Sequence, residues 1–366
     1  MSSKIWPAWL PLRDDLRLMS PYGAPQVHAL ATLNTNENPY QPSQLLVSAI
    51  TARISEVAAT LNRYPDRDAI VLRNKLAAFI NQLSRTQLSA ENVWAANGSN
   101  EIIQSLFLAC GSRPALGFTP SYSMHSLISK VAGVPWHNGS RRSDYSLDIG
   151  IATQEILQVR PALTFITTPN NPTGTSVTLA EIQKLANACS EVGGLLIVDE
   201  AYAEFSDEES AVKLIAQHPH VVVIRTMSKA FAFAGARVGY LLATRDLIDA
   251  MLLVRLPYHL SALTQAAAEV ALDFSDELLG TVATLIESRA KICASMTAMG
   301  LTVLPSKANF ILFSGFDIPA PQLWQMALDR GVLIRDVGLS GYLRVTVGNE
   351  AENEKFISVL KECLAK

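Results

Sequence analysis

Thr226-Met227-Ser228-Lys229, with Arg237 eight residues beyond the lysine, sets an amine beside two hydroxyls and a guanidinium. The preceding run Val221-Val222-Val223-Ile224 is short, apolar and β-branched, the pattern of a fully buried strand. A lysine just past the carboxyl end of such a strand lies where open α/β sheets place their ligands. Thr226, Ser228 and Arg237 would donate to a phosphate, Arg237 as a planar fork. An amine next to a phosphate anchor suits a Schiff base with pyridoxal phosphate. Alone, a Ser-Lys dipeptide is common on solvated surfaces, so the reading needs partners elsewhere in the chain.

Four other strand ends supply them. Leu195 to Val198 reads as a buried strand ending in Asp199, Glu200 and, three residues past Asp199, Tyr202. Asp199 there would pair with a protonated pyridine nitrogen, making the ring an electron sink. Tyr202 would bond the ring's phenolic oxygen; the plainer reading makes Asp199 and Glu200 caps of the next helix. Thr168 to Gly174 follows the strand Leu163–Thr167, and its prolines and glycine fix a tight turn that presents Asn171 to the same oxygen. Ala96-Asn97-Gly98-Ser99-Asn100-Glu101 follows a strand at 93–95 and opens an amphipathic helix. Free N–H groups at Gly98, Ser99 and Asn100 would cradle an anion, although Ser99 also suits a simple N-cap. Tyr122, after a strand at 115–118, is placed to stack on the ring. Toward the carboxyl end, Arg344 stands inside an apolar strand, where an arginine should face a cleft and await a carboxylate. Arg335 is a second candidate, with Asp336 as an alternative partner.

Composition bounds the setting for this chemistry. The chain has 366 residues, 49% apolar and 17% charged, enough for two domains with a large core. A net charge of −3 argues against a nucleic-acid partner. No apolar run is long enough to span a membrane, and Met1 to Pro7 lacks the apolar stretch of a secretory signal, which points to the cytoplasm. Cys110, Cys189, Cys293 and Cys363 lack metal-ligand or disulfide-framework spacing and read as reduced thiols. The six histidines lack metal-type pairing, so no metal is expected.

Residues 1–36 read as an irregular arm. From 37 to 258 short apolar strands (93–95, 115–118, 163–167, 195–198, 221–224 and 238–243) alternate with helices, which predicts an α/β domain with a mainly parallel sheet covered on both faces. Residues 259–366 change pattern. Helices near 261–274, 277–299, 320–330 and 350–364, with strands at 302–304, 309–313, 332–335 and 342–347, predict a smaller α+β domain joined to the first along a cleft.

The order Asn-Pro-Thr-Gly, Asp-x-x-Tyr, Ser-Lys and then Arg resembles fold-type I pyridoxal-phosphate-dependent aminotransferases, whose sheet is seven-stranded. Asn34 to Tyr40, Arg63-Tyr64-Pro65-Asp66, Asn97 to Glu101, the lysine motif and Leu343 to Gly348 narrow the resemblance to the histidinol-phosphate aminotransferases. It covers nearly the whole chain, departing at Asn97-Gly98-Ser99-Asn100-Glu101, where many members carry Gly-Ala-Asp-Glu. It implies a homodimer with shared sites, in which Tyr64 reaches the partner's cofactor phosphate. It implies that Asn36 and Arg344 serve the substrate, Arg344 holding the α-carboxylate of L-glutamate or 2-oxoglutarate. Arg335 and Tyr22 would hold the phosphate of imidazole-acetol phosphate or histidinol phosphate. An aromatic amino acid aminotransferase acting on phenylpyruvate or 4-hydroxyphenylpyruvate shares most of these motifs and is the alternative.

Overall fold

A computed structural model describes residues 6–365. The first five residues of the arm, on which part of the leader reading falls, lie outside the described residues. In chain order the strands are β1 (Ala31–Thr32), β2 (Val93–Ala96), β3 (Ala115–Thr119), β4 (Trp136–Ser140), β5 (Leu163–Thr167), β6 (Leu195–Asp199), β7 (Val221–Thr226), β8 (Gly239–Leu242), β9 (Thr302–Val303), β10 (Phe310–Ser314), β11 (Val332–Leu333) and β12 (Leu343–Thr346). Strands β2 to β8 form one seven-stranded sheet in the order β2-β8-β7-β6-β5-β3-β4. Only β8 runs against its neighbours. The chain therefore folds as a fold-type I α/β protein, with its main sheet parallel but for one strand.

The continuous apolar runs have a direct cause. Strands β6 and β7 carry Val198, Val221 and Val223 into one core layer and Ile197, Val222 and Ile224 into the layer on the other face. Both faces are covered, so alternation disappears. Strand β4 lies outside the expected runs. It is the edge strand, built from Trp136-His137-Asn138-Gly139-Ser140, and four of its five residues retain solvent contact. An edge strand needs no apolar run, which is why periodicity passed over it.

Helices α1 (Gln44–Ala58), α2 (Ile70–Ser84), α3 (Ser99–Cys110), α4 (Met124–Ala132), α5 (Ile149–Val159), α6 (Leu179–Glu191) and α7 (Arg245–Val254) accompany this sheet. Helix α6 starts in a capping box, Thr178 with Glu181, which fixes where the chain leaves β5. Beyond follow α8 (Ala262–Asp273), α9 (Ser275–Ala298), α10 (Ala320–Asp329) and α11 (Glu350–Leu364). There β9, β10 and β12 form an antiparallel sheet.

The arm is less irregular than its sequence reads. It contains a short 3-10 turn at Asp14–Leu16, and its β1 pairs in parallel with β11. The expected strand over 332–335 is thus split. Its first half pairs with the arm, while Arg335 bridges to Arg344 of β12 through backbone bonds of 2.9 Å in each direction. Leu33 N–H donates to Leu333 O at 2.8 Å and Leu33 O accepts from Thr346 N–H at 2.9 Å, so residues 31–36 are stitched to both strands. A two-residue strand carries too little pattern to be read without its partner.

Among the described residues no helix is long and apolar enough to cross a membrane, and the four cysteines are unpaired. Ile224 is fully buried between sheet and helices. Ile224→Ala should lower the unfolding free energy by about 2–5 kcal/mol, read by chemical denaturation.

Candidate active site

The cavity lies at the carboxyl ends of β2, β3, β5, β6 and β7, where the strand order reverses between β3 and β5. Its volume is about 480 Å³. Into it open Tyr22, Asn36, Ser99, Asn100, Tyr122, Asn171, Asp199, Tyr202, Thr226, Ser228, Lys229, Arg237, Arg335 and Arg344. Of the expected site residues, Tyr64 and Gly98 are not among those lining it.

At one end stands an anion cradle. Helix α3 opens directly from β2, and its N-cap is Gly98 at φ +77°, with no side chain capping the first turn. Ser99 is therefore not the N-cap, the alternative reading of that residue; Gly98 holds that position because of its backbone angle. The first-turn N–H groups are left for a ligand. Glycine is needed there for a second reason. A Cβ on Gly98 would sit 2.5 Å from Arg237 Nη2, and one on Gly239 would sit 2.5 Å from Ser99 N. Arg237 spans to Ser228 Oγ at 3.4 Å and Ala234 O at 3.0 Å. Thr226 Oγ1 donates to Ser228 Oγ at 2.9 Å and accepts from Ser228 N–H at 3.1 Å. Two hydroxyls, a guanidinium and a helix N-terminus thus converge, and their donors fit a phosphate monoester.

Lys229 follows directly. Its Nζ donates to Thr35 O at 2.9 Å. Burial holds the amine down to about 8, helped by the charge of Arg344. Across the cavity, Asp199 is buried and meets His125 Nε2 at 3.0 Å through Oδ2, while its Oδ1 accepts from Ala201 N–H at 3.2 Å. The His125 ring is itself held 4.8 Å from Phe165 and edge-on to Tyr122 at 5.4 Å. Sequence reasoning missed His125, and its one signal is that it sits three residues past Tyr122. Neither Asp199 nor Glu200 caps the turn that follows, Ala203–Phe205, whose N-cap Tyr202 makes no side-chain bond; Glu200 pairs instead with buried Arg225 at 2.8 Å.

Between these ends, Tyr202 Oη accepts from Asn36 Nδ2 at 2.9 Å and from Asn171 Nδ2 at 3.4 Å. Burial raises its phenol above the ordinary tyrosine range. Asn36 sits at φ +56° and is pinned to Thr346, which donates to its Oδ1 at 3.1 Å and accepts from its N–H at 3.0 Å. Tyr122 donates to Asn100 Oδ1 at 3.2 Å.

Arg344 is buried; its Nη1 donates to Asn171 Oδ1 at 2.6 Å and its Nη2 to Asn34 O at 2.8 Å. Its Nε is buried without a partner, and burial pulls the guanidinium down to about 10. A buried guanidinium bonded only to neutral groups is prepared for a carboxylate. Arg335 stands beside it through the backbone bridge, and Tyr22, half exposed, closes the same side. Tyr64 stays 78% exposed and stacks on Tyr258 at 4.3 Å, away from the cavity of its own chain.

Comparison with known proteins agrees with this geometry. The model of the family "Aminotransferase class I and II" matches residues 30–360. The histidinol-phosphate aminotransferase of Mycolicibacterium smegmatis is 53% identical over 360 residues, 98% of this chain and 94% of that protein. That of Mycolicibacterium vanbaalenii is 54% identical over 95% of this chain and 94% of its own length. The structure of histidinol-phosphate aminotransferase from Sinorhizobium meliloti in complex with pyridoxal-5'-phosphate superposes with a TM-score of 0.85 at 23% identity, over 98% of both chains, a likeness of fold. The chain belongs to the class I and II aminotransferases, within their histidinol-phosphate aminotransferase group.

Proposed function

We propose that this enzyme transfers the amino group of L-glutamate to imidazole-acetol phosphate, giving L-histidinol phosphate and 2-oxoglutarate, reversibly and in the service of histidine biosynthesis. The observation that carries the reading is a buried amine and a histidine-backed carboxylate lining one cavity together with an anion cradle. The cofactor is pyridoxal phosphate, whose ring nitrogen and phosphate match those two features. When bound, it supplies an electron-accepting pyridinium ring.

The protein's own groups do the rest. Ser99, Asn100, Thr226, Ser228 and Arg237 would hold the phosphate, and Lys229 would hold the group covalently through Nζ. Asp199, kept in place by His125, keeps the ring nitrogen protonated. Tyr202 and Asn171 bond the phenolic oxygen, and Tyr122 covers one ring face. Arg344 takes the α-carboxylate of the amino donor. Arg335 and Tyr22 bind the far anion, either a γ-carboxylate or a phosphate. Lys229 Nζ would carry the proton between the donor's Cα and the cofactor's carbon, a task suited to an amine whose pKa burial lowers to about 8. Tyr64, exposed and turned from its own cavity, would reach the partner's phosphate in a homodimer, and the enzyme works in the cytoplasm.

Lys229→Ala should lose turnover and the visible absorbance of the bound cofactor, and Asp199→Asn should lower kcat on the order of 100-fold or more with the fold intact by circular dichroism. Normal rates in either variant would exclude these roles.

Burial of Lys229 also predicts a stability effect. Because its folded-state pKa lies below the unfolded value of 10.5, the unfolded chain binds more protons between about pH 8 and 10.5. The cost of burying the charge is complete below pH 8 and fades as pH rises to 10.5. Cofactor-free Lys229→Met should therefore gain about 1–3 kcal/mol over wild type at pH 7, a gain that vanishes above pH 10.5 in denaturation curves.

With glutamate as donor, kcat/KM for imidazole-acetol phosphate should exceed that for phenylpyruvate by at least about 100-fold, since phenylpyruvate has no far anion and leaves Arg335 and Tyr22 without a partner. A preference for phenylpyruvate would overturn the substrate and leave the reaction class standing.

A further inference from the structure

The backbone ladder between β6 and β7 reaches its last pair at Asp199 and Ile224. Past that rung Glu200 N–H donates to Ile224 O at 2.9 Å, and the β6 chain then turns away toward Tyr202. Asp199 stands at the ladder's last rung, and Thr226 to Lys229 stand beyond it. What joins them is a buried ionic cluster on the face of the sheet opposite to Asp199 and Thr226. Arg225 Nη2 meets Glu200 Oε2 at 2.8 Å, its Nε donates to the same oxygen at 3.0 Å, and its Nη1 donates to Glu204 Oε1 at 2.9 Å. Arg225 and Glu200 are each 2% exposed, and Glu204 is comparably buried. Glu200 is held further by Ser210 Oγ and by Ala211 N–H, both at 2.7 Å.

We infer that Arg225, forked onto Glu200 and Glu204, is a positioning residue that fixes the separation between Asp199 and the Thr226–Lys229 segment. The inference rests on the cofactor assignment made above. Its physical basis is adjacency. Glu200 follows Asp199 and Arg225 precedes Thr226, and successive strand residues point to opposite faces. A rigid link behind the sheet therefore sets where the two front-facing groups stand. Buried ion pairs seldom add net stability, and replacing them by neutral groups is often tolerated. Stability alone is thus a weak reason for one guanidinium and two carboxylates here. Sub-ångström placement of reacting groups is a stronger one, since small misplacement is costly in rate. Tyr240, paired with Arg225 across β7 and β8, has a buried hydroxyl without a partner.

The test uses holoenzyme. Arg225→Lys keeps the charge and loses the fork; Glu200→Gln keeps the shape and weakens the pair. Arg225→Lys should bind pyridoxal phosphate, keep KM for glutamate within about threefold and lose at least about tenfold in kcat. The pH midpoint of its bound-cofactor absorbance should move, because that band reports how Lys229 and Asp199 face the same ring. Glu200→Gln should show the same pattern more weakly, and it decides the matter if Arg225→Lys does not fold. Wild-type kcat with an unmoved midpoint in the folded variant, or losses that track only melting temperature, would overturn the inference. A wild-type protein that takes up no pyridoxal phosphate would instead overturn the cofactor assignment.

Discussion

An amine and three guanidiniums face one cavity with little negative charge to meet them. Lys229, Arg237, Arg335 and Arg344 all line it, against Asp199, which is already engaged by His125, and Glu37. Holding Lys229 and Arg344 away from water costs free energy, which is why burial depresses both. The fold sustains that cost because the cavity sits on strands buried on both faces, where side chains cannot rotate away to solvent. An anionic occupant relieves it. A phosphate at the cradle and a carboxylate at Arg344 are the two charges that the arrangement lacks.

The same constraint orders the smaller features. A side chain at Gly98 would push Arg237 from the start of α3, and one at Gly239 would push the backbone that opens α3. Asn36 takes a left-handed backbone so that its amide reaches Tyr202 while its backbone and carbonyl oxygen hold Thr346. Segment 31–36 then ties β11, β12 and Lys229 together, through Leu33 and through Thr35 O. The amino-terminal arm is thereby part of the site's wall.

Much of this was legible in the residues. Apolar β-branched runs marked five of the seven strands of the main sheet as buried, and β8 as a mixed apolar run, because helices cover both faces. The polar groups at the ends of those runs, Asp199, Asn171, Tyr122 and Lys229, then had to stand at one edge, since parallel strands all end on the same side. Strand β4 escaped because an edge strand can be polar, and β1 because two residues carry no period. His125 escaped for another reason: a histidine in a helix looks the same whether or not a carboxylate from a distant strand meets it.

Residue order and type by themselves determined the buried strands of the main sheet, its mainly parallel direction and the polar groups gathered at its carboxyl edge. These depend on local period and on strand polarity, both of which are written along the chain. Only the tertiary structure decided which groups meet across long separations: His125 with Asp199, Arg225 with Glu200 and Glu204, Asn34 and Asn171 with Arg344, and the arm with β11. Such contacts arise from how layers pack and where loops close, and no spacing in a linear chain encodes the distance between two side chains that far apart.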